Sequence, residues 1–146
     1  MNNILAGEKI ENVEITGLLQ IKRVVIGALI LKNSHLSGGL FLEGCIIRPG
    51  AIVLDGSVID EQLVITGCET GPIGIGLRNV KVGKHVLIEN CSAQSLDLKG
   101  IDIGTELSLI NLNTSYILVD WGNAELVHFS APTIPLVVVG KPKITR

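Results

Sequence analysis

Three cysteines, Cys45, Cys68 and Cys91, are evenly spaced along the chain, and each closes a similar phrase: LFLEGC, LVITGC and VLIENC. Between them IVLDGS (52–57) and IGLRNV (75–80) repeat at the same interval. A fixed period of this length constrains the chain to a repeat architecture, because each repeat buries its apolar face only against the next one. From Glu8 onward a large aliphatic residue recurs at almost every fifth position, usually with an apolar or small residue two places before it. A spacing of two sets both residues on one face of a short strand, whereas a helix needs spacings of three and four. A left-handed hexapeptide helix would need a strict step of six. That step holds for Ile47, Val53, Ile59 and Ile65 and fails on both sides.

Steps are five or six apart from two sevens, 47 to 54 and 70 to 77. Four steps then make a period of roughly 20–23 residues, the interval that the cysteines mark and one typical of stacked repeats. The expected fold is therefore all-β: a parallel β-helix of four short sides per coil and about six and a half coils, in one domain spanning 1–146. Side one is headed by Ile21, Leu42, Ile65, Ile88, Leu109 and Phe129. Side two holds Ile26, Ile47, Thr70, Ala93, Thr114 and Ile134, with the three cysteines among the residues two places before them. Side three carries Leu31, Leu54, Leu77, Leu98, Val119 and Val139, and side four Ile15, Leu36, Ile59, Val82, Ile103, Ala124 and Ile144. Like residues then stack on like, each coil covering its neighbour's apolar face.

The corners agree. Two places after the side-one residue come Arg23, Gly44, Gly67, Asn90 and Asn111; after the side-three residue come Asn33, Gly56, Asn79 and Gly100, then Trp121. Gly and Asn tolerate the positive φ that a right-angle turn between two-residue strands requires. Ser34-His35-Leu36, Cys45-Ile46-Ile47 and Ser57-Val58-Ile59 each pair a small residue with a large aliphatic two places on. In this rhythm, over residues 8–146, the chain resembles the pentapeptide-repeat proteins. That resemblance implies a right-handed quadrilateral β-helix. Sides one and three depart from the family pattern, with Leu, Ile or Val where it prefers Ala, Ser or Cys.

Composition excludes several functions. Aromatic residues make up 3% and there are 17 glycines, a mix suited to short strands and tight turns. A net charge of −2 supplies no electrostatic footprint for nucleic-acid binding. The sequence MNNILAGEKIEN reads as no signal peptide, and the longest apolar run, Val24 to Leu31, is far short of a membrane span. Three cysteines without export point to a reducing compartment, so a cytoplasmic location is expected.

The cysteine column invites a metal or redox reading. A zinc site, however, wants four ligands from diverging directions, and His35, His85 and His128 fall in other columns or coils. The cysteines are expected to be small core residues, with no metal or cofactor. GPIGIG (71–76) lacks phosphate-loop spacing and a following helix, and is expected to absorb a seven-residue step. Asp97, Asp102 and Asp120 are the carboxylates to weigh for a polysaccharide-cleaving site. Only Asp120 has an aromatic neighbour, Trp121, so solvated charges are the expectation. Outward residues on side three read Lys32, Asp55, Arg78, Lys99 and Asp120, an alternation expected to favour register.

The informative outward residues are apolar: Val25, Ile30, Phe41, Ile46, Val53, Val64 and Leu87. A continuous stripe such as Phe41, Val64 and Leu87 on side one marks an association surface. The expected function is a non-enzymatic scaffold or interaction module, self-associating as a homo-oligomer. A protein that binds and inhibits or protects a nucleic-acid enzyme such as gyrase, as the family resemblance suggests, is second. A carbohydrate-active β-helix is third. No capping helix is legible at either end; Pro132, Pro135 and Pro142 would blunt the C-terminal edge, and a second copy is expected over the N-terminal coil.

Overall fold

The computed structural model describes residues 8–119, 125–130, 136–138 and 143–144. Trp121, Asp120, Ala124, Ile134, Val139, the three C-terminal prolines and residues 1–7 lie outside them, and with them the expectations about the two ends. Among the described residues there is no helix, and every strand pairing is parallel. The strands stack into a β-solenoid of about five turns.

Each side is one sheet. Side one runs through Leu19–Lys22, Leu40–Glu43, Leu63–Thr66, Val86–Glu89, Glu106–Ile110, Glu125–Phe129 and Lys143–Ile144. Side three runs through Lys9–Glu11, Leu29–Lys32, Ile52–Val53, Ile75–Gly76, Ser95–Leu98, Tyr116–Val119 and Leu136–Val138. Side four has Glu14–Ile15, His35–Leu36, Val58–Ile59, Lys81–Val82 and Asp102–Ile103. Side two has Val25–Ile26, Ile46–Ile47 and Glu69–Thr70, prolonged by single bridges from Glu69 to Ser92 and from Ser92 to Asn113.

On side one Leu19 pairs with Leu40, Leu40 with Leu63, Leu63 with Val86 and Val86 with Leu107. The second and third of these steps are longer than the first and fourth, because they contain the two sevens. Alternation along each strand decides what is buried: Leu40 and Leu42 point inward while Phe41 and Glu43 point out. Leu42, Ile65, Ile88 and Leu109 are fully buried one above another, as the repeat requires. The corner reading also holds. Arg23, Gly44, Gly67, Asn90 and Asn111, and Asn33, Gly56, Asn79 and Gly100, all have φ between 50° and 74°.

The cysteines are buried and unpaired in one column. Each thiol donates to backbone carbonyls: Cys45 to Ile21 and Glu43 (3.6 Å each), Cys68 to Thr66 (3.4 Å), Cys91 to Ile65 (3.4 Å) and Glu89 (3.3 Å). Burial pushes the Cys45 thiol up, and its hydrogen bond with Cys91 together with burial pushes Cys68 up. Neutral, hydrogen-bonded thiols such as Cys45 and Cys68 are packing groups and poor nucleophiles, while the contact with Cys68 lowers Cys91.

Three details depart from the sequence reading. Side four closes five turns among the described residues, fewer than six and a half coils. Near the C-terminus the period shortens. A bulge between Leu107 and Ser108 shifts the pairing to Glu125–Phe129, Val119 pairs with Val138 in place of Val139, and Ile144 pairs with Leu126 on side one, not on side four. The side-three charges also pair differently. Asp55 accepts from the Arg78 backbone N–H (3.1 Å), while the Arg78 guanidinium reaches diagonally to Asp97. A long side chain meets the diagonal neighbour as readily as the one directly below.

Candidate interaction surface

Outward positions on side one form three columns. The central one runs Gln20, Phe41, Val64, Leu87 and Ser108, each in register with the next. Three apolar residues are thus bracketed by two polar ones. On side two Val25 lies in register with Ile46, and they are 75% and 38% exposed; Glu69, Ser92 and Asn113 continue the column as polar residues. On side three half-buried Ile30 stacks on half-buried Val53, and the column turns to Gly76 and Asp97. All seven sequence candidates therefore point outward. They occupy three neighbouring faces, not one, and all but Leu87 lie in the coils nearer the N-terminus.

Sequence reasoning missed Leu18, which is 57% exposed at the corner leading into side one. A Cβ placed on Gly39 would meet Phe41 Cε1 at 3.2 Å and Leu18 Cδ1 at 3.5 Å, so both side chains converge over that glycine. Leu18 thereby extends the Phe41 end of the stripe. Its own place between two strands gives no in-or-out assignment in a pattern read from strand spacing.

A second feature is a polar groove of about 660 Å³ at the corner between sides two and three. The two sevens make it. The longer corners at Arg48-Pro49 and Gly71-Pro72 overhang the tighter corners at Gln94 and Ser115. Ile73, in the GPIGIG run, is 69% exposed at one of these corners, where the run takes up the second seven-residue step. Gln94 Nε2 donates to Ser115 Oγ (2.9 Å), and Arg48 pairs with Glu69 (2.6 Å). Arg48 is the one charged residue among the described lining residues, and Glu69 is its partner.

Some of the other described charged groups are paired. Lys22 meets Glu43 at 3.7 Å, and Lys84 meets Glu61. Asp97 is only 17% exposed beneath Arg78 and clasps neighbouring coils in register. On side four His35 sits between two carboxylates: Nε2 is 2.8 Å from Asp60 Oδ2 and Nδ1 is 3.2 Å from Glu14 Oε1. The hydrogen bond to Asp60, helped by the charges of Asp60 and Glu14 against some desolvation, raises His35 above the ordinary imidazole range. A raised folded-state value means that this clasp is fully present below about pH 6.5 and is lost as pH rises through the raised value. The melting temperature of the native chain should exceed that of His35→Gln at mildly acidic pH, and the gap should narrow with rising pH. A gap independent of pH would contradict this clasp.

Among the described residues no group of three or more His, Cys, Asp or Glu could hold a metal ion, and no helix is long and apolar enough to cross a membrane. No family model, no curated protein and no solved structure matches the chain.

Proposed function

We propose that this chain is a non-enzymatic β-helical scaffold or protein-interaction module that works through its outer faces and associates with further copies of itself. The observation that carries this reading is the in-register column Phe41, Val64 and Leu87, ended by Gln20 and Ser108. Nothing in a solvated sheet face calls for three large apolar residues in line, whereas an interface gains by burying them. The faces weigh against a DNA-mimicking inhibitor of a nucleic-acid enzyme. Among the described residues the acidic groups are interleaved with cations, as in Glu43 with Lys22, Glu61 with Lys84 and Glu69 with Arg48, and build no continuous acidic column. Three unpaired cysteines suit a reducing compartment such as the cytoplasm.

Phe41→Glu tests the reading. An outward carboxylate stays hydrated in a single solenoid but loses water inside an interface. The variant should keep the native circular dichroism spectrum and weaken self-association at least ~10-fold. Unchanged assembly would remove side one from the account.

A further inference from the structure

Resting on that self-associating reading, we infer that side one is the face of a twofold dimer in which two solenoids lie parallel, related by an axis running along the solenoid direction. Two flat faces can be related only by a twofold in the plane between them, and the three outward columns of side one discriminate between the two simple choices. To one side of the central column stand Leu18, Gly39, Gln62, His85 and Glu106; to the other stand Lys22, Glu43, Thr66, Glu89 and Ile110.

An axis along the strands would turn the second solenoid upside down. Phe41 would then face Leu87 of the other copy, and Glu43 would face Glu89. Twofold symmetry repeats that like-charge contact, whereas the burden of an apolar residue on Glu106 is common to both arrangements (Leu18 here, Ile110 in the other). Like charges set opposite one another at an interface work against pairing.

An axis along the solenoid keeps each coil level with its own copy. Phe41 meets Phe41, Val64 meets Val64 and Leu87 meets Leu87, while the flanking columns exchange. Glu89 then faces His85, Gln62 faces Thr66, and Glu43 comes over Gly39, which Leu18 and Phe41 cover. The Lys22 stem covers Leu18, the exposed leucine that the single chain leaves unexplained. No like-charged pair is formed among these ten flanking positions. Five coils spaced ~4.8 Å, each about five residues wide at ~3.3 Å, present a face of ~400 Å². Two such faces bury ~800 Å² together, below the ~1,000 Å² of a stable specific pair, so the dimer is weak and transient.

Cysteine cross-linking reads the geometry directly, because the three native thiols are at most 4% exposed and stay silent. Phe41→Cys, Val64→Cys and Leu87→Cys are each purified as the full chain and treated with copper–phenanthroline. The parallel dimer predicts that each variant cross-links to itself, and that mixing Phe41→Cys with Leu87→Cys adds no preferred product. The inverted dimer predicts that Val64→Cys alone self-links and that the mixture is favoured over either single variant, which would overturn the proposal while leaving self-association intact. Self-association in solution that survives Phe41→Glu, with no cross-link from any variant, places the contact on another face and also overturns it. A chain that stays monomeric and gives no cross-link defeats both the dimer and the reading it rests on.

Discussion

Gly56→Ala should destabilise the solenoid by about 3 kcal/mol, while Gly67→Ala should cost only about 1–2 kcal/mol. Both glycines hold corners at positive φ, +74° and +63°, so each substitution carries the left-handed backbone penalty. The surroundings differ. At Gly67 an added Cβ would find only the backbone of Gly44, at 3.7 Å and beyond, which is ordinary contact. At Gly56 it would meet the side-chain oxygen of Asn33, which lies over the glycine from the neighbouring coil and would have to turn away. Adding Asn33→Gly to Gly56→Ala should recover the steric part and leave the backbone part, as a double-mutant cycle in urea will measure. Equal losses at Gly56 and Gly67 would show that the asparagine does not occupy that place.

Ile65→Ala should cost about 2–5 kcal/mol, and its sequence neighbour Val64→Ala less than about 1 kcal/mol. Ile65 is fully buried at the middle of the rod, paired on both sides by Leu42 and Ile88. Removing its branches leaves a void that the coils above and below cannot close. In a solenoid each coil is held by its nearest neighbours, so a central void weakens two contacts at once. Val64 points outward and loses only partial burial. Because a slip of one residue exchanges the two roles, the pair of substitutions is a direct test of register. Comparable losses, or the reverse order, would break it.

The features most legible in the sequence are those fixed by periodicity alone. The columns Leu42–Ile65–Ile88–Leu109 and Cys45–Cys68–Cys91 follow from the even interval between repeats, and the Asn and Gly corners follow from the backbone angles that a four-sided coil demands. Periodicity says less where coils differ in length. The two sevens are visible as irregular steps, but the polar groove they create arises from one coil overhanging another, a relation absent from any single repeat. The last coil departs from a reading by rhythm because its turns are shorter than the apolar spacing marks, so that Val119 pairs with Val138 and Leu126 with Ile144. The pairing of Arg78 with Asp97 escapes a reading that matches charges straight down a column. The seven outward apolar residues are legible because alternation marks in and out within a strand; their spread over three faces needs the corners in place.

The central claim is that the outer faces of this solenoid bring copies of the chain together. Sedimentation equilibrium of the unmodified protein over a hundredfold range of concentration tests it most directly. The account predicts an average mass that rises with concentration from one chain toward two. A mass of one chain, 15.5 kDa, at every concentration would contradict it.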